Sequence, residues 1–192
     1  MNPPRFTVSS RMRELMAYRK MAGPVPRVLV LESHYWLDTA CVNAAQVLGW
    51  EVERVPTRMK GSLPRELIAQ LLEALTGFRP DFVLSINLSG MDEGGMFAQL
   101  FADLAIPYVT WFVDDPRTIL MDRDVYGSDY AIALTWDGAY APYLEARKFG
   151  EVHALPLAAD HTQFNAPPAG SWAHAPTFVG NSMTEFAEEE WA

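Results

Sequence analysis

Apolar positions along this chain follow two rhythms that take turns. Arg27–Leu31, Phe82–Ile86, Pro107–Val113 and Tyr130–Thr135 are short, nearly unbroken apolar runs rich in β-branched and aromatic residues, the composition of buried strands. Glu51–Val55 alternates charged and apolar residues and reads as a strand nearer the sheet's edge, and Val152–Leu157 supplies a sixth. Between them lie helical patterns. Leu37–Leu48 ends at Gly49, a natural C-cap; Leu63-Pro64-Arg65-Glu66 opens a helix with Leu67, Ile68, Leu71, Leu72 and Leu75 at 3–4 spacing, closed at Gly77. Met96–Leu104 is a third helix, and Ala139–Lys148, capped by Gly150, a fourth. Strands alternating with helices in this way predict a parallel sheet with helices on both faces. The expected fold is Rossmann-like α/β in three layers, with strand order 3-2-1-4-5-6, so that strands one and four are neighbours.

The stretch Pro107-Tyr-Val-Thr-Trp-Phe-Val-Asp114-Asp115-Pro116 is the most informative in the chain. A buried strand stops at two adjacent carboxylates, and Pro116 forbids the ladder from continuing. Ligands of open α/β sheets bind just beyond the carboxyl ends of the strands. Four polar groups fall at such ends: Ser33-His34, Asn87, Asp114-Asp115 and Trp136-Asp137. His34 is either a general base, since imidazole titrates near neutrality, or a helix-entry residue. Asp115 and Asp137 can serve a ligand or cap helices; Asp114 sits between a buried run and its neighbour, where a capping role is less natural. Asn87–Gly95 reads as a flexible polar loop long enough to line a ligand, although Asp92, Glu93 and the lack of lysine make it a poor phosphate cradle. Tyr35, Trp36, Trp111 and Trp136 can stack on a sugar ring or pack a core.

Several chemistries are absent from the sequence. The first strand ends Leu31-Glu32-Ser33-His34-Tyr35 with no glycine to let backbone approach a pyrophosphate, which argues against a dinucleotide. The chain holds no P-loop, no Gly-x-Ser-x-Gly elbow and no paired Cys or His at zinc-ligand spacing. The lone Cys41 excludes a disulfide framework, makes a reducing, cytoplasmic setting the expectation, and reads as buried filler more readily than as a nucleophile.

Charge adds an asymmetry. Of fifteen basic side chains, residues 1–27 hold six (Arg5, Arg11, Arg13, Arg19, Lys20 and Arg27) against one acid, Glu14, within a net charge of -9. The remainder is strongly acidic, a poor surface for nucleic acid. Met12, Leu15 and Met16 make residues 1–24 a basic helical segment, either packed on the acidic body or touching an anionic surface. No apolar run reaches the roughly 20 residues that span a bilayer. Residues 25–165 form the main domain. Residues 166–192 begin with linker composition, and Phe178-Val-Gly180 followed by Thr184–Trp191 reads as the start of a further domain that the chain does not contain. Its apolar side chains would pack on the main domain or recruit a second copy, giving a truncation-dependent homodimer.

Taken in order, Pro80-Asp-Phe-Val-Leu-Ser-Ile-Asn87, Trp111-Phe-Val-Asp-Asp-Pro116, Thr135-Trp-Asp137, Leu155-Pro-Leu-Ala-Ala-Asp160 with Phe164, and Phe178-Val-Gly-Asn-Ser-Met183 resemble the N-terminal half of the CgeB-like bacterial glycosyltransferases, whose leading domain is known as DUF3880. The likeness runs over about residues 25–183 and preserves motif order and spacing. It implies the N-terminal half of a GT-B architecture, two Rossmann-like domains facing a cleft. This half would receive a glycan or protein acceptor, and a missing C-terminal domain would bind the nucleotide-sugar donor. The domain itself would bind no cofactor and no metal. His34 and Asp114 would then be the catalytic candidates, with Ser33, Asn87, Asp115, Trp136 and Asp137 binding substrate. The rival expectation is a stand-alone ligand-binding or receiver-like α/β module using Asp114-Asp115 for Mg²⁺, although a receiver draws its acidic pair from the first strand, which here offers only Glu32.

Overall fold

The polarity of the second strand decides how the sheet is assembled. In the computed structural model, which describes residues 6–33, 35–57, 64–121 and 123–160, the elements run α1 Ser10–Met16, β1 Arg27–Glu32, α2 Trp36–Val47, β2 Glu51–Pro56, α3 Arg65–Phe78, β3 Phe82–Ile86, α4 Met96–Asp103, β4 Tyr108–Phe112, α5 Pro116–Leu120, β5 Ser128–Thr135, a 3-10 turn Gly138–Tyr140, α6 Ala141–Ala146 and β6 Phe149–Ala154. Contacts divide the chain into two units, Met1–Ala158 and Ala159–Ala192, and all of these elements belong to the first. The tail expected to begin a further domain, with Phe164 and Phe178–Met183, lies outside the described residues, as does His34.

All six strands are parallel, in the order β2-β1-β3-β4-β5-β6. The Rossmann-like α/β class is as expected, but the order is not 3-2-1-4-5-6: β3 lies between β1 and β4, which are therefore not neighbours. The cause is visible in the side chains. β2 presents Glu51, Glu53 and Arg54 to solvent and buries only Val55, so it is content at an edge, where charges also discourage pairing with another chain. β3 offers apolar side chains to both faces and needs cover on both.

One face of the sheet carries most of the core. Leu29 and Leu31 of β1, Val83 of β3, Tyr108 and Phe112 of β4 and Ala131 and Ala133 of β5 meet Leu67, Leu71 and Leu75 of α3, Phe97 and Phe101 of α4, Leu120 of α5 and Leu144 of α6. The four-residue spacing of the α3 leucines places them on one stripe, and each is worth roughly 1.5–3 kcal/mol when buried. On the other face α2 sets Val42 and Ala45 against Val28 and Val30, and Leu37 against Ile86 and Val113.

Several boundaries shift from expectation for local reasons. Gly77 lies inside α3, and Arg79 takes the left-handed capping position at φ 54. Gly150 lies within β6, because a side chain there would meet the backbone of Asp129 on β5; Lys148, at φ 63, turns the chain instead. The loop after β3 is not a loose polar lid. Asn87 and Leu88 adopt positive φ, Leu88 and Met91 enter the core, and a Cβ on Gly90 would collide with Leu31 and Thr57. Buried Asp92 accepts the Met96 and Phe97 N–H groups at 2.8 Å each, fastening the loop to the start of α4.

Candidate functional site at the carboxyl ends of the strands

Parallel strands bring their carboxyl ends to one edge, and the chain reverses its direction of travel across this sheet between β1 and β3. That switch point is where α/β sheets leave a crevice for ligands. Asn87 ends β3 at φ 51, a conformation asparagine tolerates better than most residues. Its Oδ1 accepts the Val113 N–H at 2.9 Å and the Asp114 N–H at 3.4 Å, and its Nδ2 donates to Asp114 Oδ2 at 2.6 Å. One side chain thus ties the ends of β3 and β4 together and orients an exposed carboxylate. Tyr35 lies near enough for the Asp114 charge to help raise its hydroxyl pKa, second to burial as a cause. Asn87, Asp114 and Tyr35 form the first cluster.

Ser33 is committed elsewhere. Its N–H and Oγ donate to Asp38 Oδ2 at 2.9 and 3.2 Å, and the Tyr35 N–H adds a third bond at 3.1 Å. Asp38 is 1% exposed and its Oδ1 has no hydrogen-bond partner among the described residues. This carboxylate fixes the turn from β1 into α2. Sequence reading passed over it, although an acid three residues into a helix is a recognisable capping signal.

The second cluster lies at the ends of β4 and β5. Asp115 caps α5 by accepting the Arg117 N–H at 2.9 Å and pairs with the same residue's guanidinium, Nη2 to Oδ2 at 2.6 Å. The Arg117 guanidinium holds the Asp115 carboxyl down at about 2. It also lies over the Tyr140 ring, 5.3 Å from its centroid, and Tyr140 packs against Trp136 at 6.0 Å. Asp137 caps the 3-10 turn through the Ala139 N–H at 2.8 Å. The capping readings of Asp115 and Asp137 therefore hold. Arg117 and Tyr140 were not singled out from sequence, yet they connect Asp115 to Trp136.

Trp36 is 67% exposed and Trp136 40%, so both indoles present surface to solvent, whereas Trp111 is half-buried and donates Nε1–H to the Leu155 carbonyl at 3.0 Å. Cys41 packs beside Leu37 and Ile86, and burial pushes its thiol up to about 11, so almost none is thiolate near neutrality. Among the described residues no group of three His, Cys, Asp or Glu side chains is placed to hold a metal ion. An exposed, oriented carboxylate can accept hydroxyl hydrogen bonds, and an exposed indole can stack on a ring. No family model matches the chain, and no curated protein or solved structure matches it significantly.

Proposed function

We propose that this chain is the acceptor-side domain of a nucleotide-sugar-dependent glycosyltransferase. The observation that carries the reading is the Asn87–Asp114 pair at the carboxyl ends of β3 and β4, a hydroxyl-binding carboxylate on the edge where Trp36 and Trp136 are exposed. The ordered strand-end motifs, which resemble those of the CgeB-like enzymes, support the same reading. Asp114 accepts the acceptor hydroxyl, Asn87 fixes the carboxylate, and the indoles stack on the sugar ring. His34 is the base candidate on sequence grounds alone. Transfer then requires a donor held by a partner domain and exclusion of water as the two meet.

A second reading, a receiver-like or other stand-alone binding module, is favoured by one observation: the order 2-1-3-4-5 is that of flavodoxin- and receiver-type sheets. The residues at the ends argue against a receiver. Glu32 pairs with Arg54, Asn87 takes the end of β3, and Asp115 is held by Arg117.

Calorimetry separates the two. The acceptor-domain reading expects oligosaccharide binding that Asp114→Ala abolishes, and no micromolar affinity of this chain for UDP- or GDP-sugars. Micromolar nucleotide-sugar binding would overturn the division of labour. Mg²⁺ binding lost in Asp114→Ala, without glycan binding, would favour the receiver-like module.

A further inference from the structure

The amino ends of the strands, on the opposite edge of the sheet, gather positive charge around a cavity of about 280 Å³. Tyr18, Arg19, Gly23, Val25, Arg27, Arg79 and Asp81 line it. The edge is separated from the Asn87–Asp114 pair by the length of a six-residue strand, roughly 20 Å, so the two regions do not share a ligand.

Two of the three guanidinium groups that line the cavity lie on aromatic faces. Arg79 stacks on the Tyr18 ring at 4.5 Å from its centroid, and Arg27 on the Phe78 ring at 4.6 Å. Tyr18 is itself fixed by donating its hydroxyl to the Pro80 carbonyl. Lys20 approaches the same Tyr18 ring at 3.6 Å and donates to the Met16 and Tyr18 carbonyls at 2.7 and 3.1 Å. Burial chiefly, and then the nearby Arg79 charge, lower the Lys20 pKa, against the opposing charge of Asp81.

Two acids face this group. Asp81, nearly buried, accepts the Met21 N–H at 2.6 Å and the Arg27 N–H at 2.9 Å, so each of its oxygens serves backbone. Glu51 pairs with Arg27 Nε at 3.2 Å. Arg19, Lys20, Arg27 and Arg79 outnumber Asp81 and Glu51 by two charges, in a protein whose net charge is -9. Crowded cations around a cavity, with the Arg79 fork already oriented on Tyr18, suit an oxyanion better than any other ligand.

We propose that this cavity binds a phosphate group, carried by a phosphorylated small molecule or by an acidic lipid headgroup. Arg19 and Arg79 grip it, and Tyr18 keeps the Arg79 guanidinium plane oriented before it arrives, which lowers the entropic cost of binding. The site is independent of the glycosyltransferase reading.

Two probes distinguish the sources: inorganic pyrophosphate by calorimetry, and vesicles of phosphatidylcholine with or without phosphatidylglycerol by co-sedimentation. Pyrophosphate binding identifies a soluble ligand; binding to phosphatidylglycerol vesicles alone identifies a headgroup. In either case Arg19→Gln/Arg79→Gln should weaken binding by about tenfold or more, since bonds to charged groups are lost. Arg11→Gln/Arg65→Gln removes the same two charges from exposed positions outside the cavity and should weaken it less than about twofold at physiological salt, where exposed charges are screened. Arg79→Lys, which keeps the charge and loses the fork, should fall between and guards against a folding defect in the double variant. Failure of both probes to bind, or equal losses in the two double variants, would overturn the proposal.

Discussion

The two ends of this sheet are built from opposite materials. At the carboxyl ends the carboxylates dominate, and most are already engaged: Asp38 by the Ser33 and Tyr35 N–H groups, Asp92 by the start of α4, Asp115 by Arg117, Asp137 by the Ala139 N–H. Of these carboxylates and Asp114, it is Asp114 that is left exposed by its partner. At the amino ends the cations dominate, and the one buried acid, Asp81, is turned toward backbone N–H groups. Acids at helix starts satisfy the donors a helix leaves orphaned, so a cluster of acids need not be a site. Cations carry such duties too, as Lys20 does for the Met16 and Tyr18 carbonyls and Arg27 for Glu51. What distinguishes a ligand-binding group from a scaffold group here is its partner, and residue type alone does not reveal it.

The largest expected effects break the scaffold at either end. Asp38→Ala and Asp81→Ala each leave two or more part-buried donors at opposite ends of β1 without this acceptor and should cost about 2 kcal/mol, measured by urea unfolding. Equal losses would mark both as clamps. A far larger loss at Asp81 would mean that the cations around it depend on its charge, and would weaken the case for an anion site. Asp81→Asn, which keeps an acceptor oxygen, should instead tighten pyrophosphate binding.

Gly90→Ala should cost about 2 kcal/mol, since the added methyl meets Leu31 and Thr57 at a positive φ. Asn87→Ala should cost about 1 kcal/mol through its lost bonds to Val113 and Asp114, while Asp114→Ala leaves the melting temperature almost unchanged. That contrast separates the positioning residue from the exposed carboxylate it holds.

The smallest effect is electrostatic. The Asp115 carboxyl is depressed to about 2 by the Arg117 guanidinium, so its contribution is present above the ordinary carboxylate range and is lost as pH falls from about 4 toward 2. Asp115→Asn should cost a little stability at neutral pH and nothing below about pH 2, which flattens the acid limb of the profile slightly; a marked loss at pH 7 would give the pair more weight than an exposed ion pair carries.

Much of this arrangement can be read from the chain. The buried runs, the parallel alternation and the group of strand-end residues follow from periodicity, and the charged alternation of Glu51–Val55 already marked an edge. Taken seriously, that edge would have sent β3 to the other side of β1 and given the observed order. The loop after β3 was misleading because its polar letters conceal two buried side chains, Leu88 and Met91, and a cap, Asp92. Position after the buried run already set Asp114 apart from the capping Asp115, but not what holds each, Asn87 for one and Arg117 for the other. The amino-end cavity was less legible still: Arg19, Arg27 and Arg79 are far apart in sequence, and only parallel strands bring them to one edge.

The division of ligand chemistry between the two ends is tested most directly by nitrogen-15 NMR of one labelled sample. Pyrophosphate should shift the backbone amides of residues 19–27 and 79–81, and a panel of neutral oligosaccharides should shift the Trp36 and Trp136 indole N–H signals and the Asp114 amide. Each ligand should leave the other's set in place. Pyrophosphate shifting the Asp114 set, or oligosaccharides shifting the amino-end set or neither, would contradict the account.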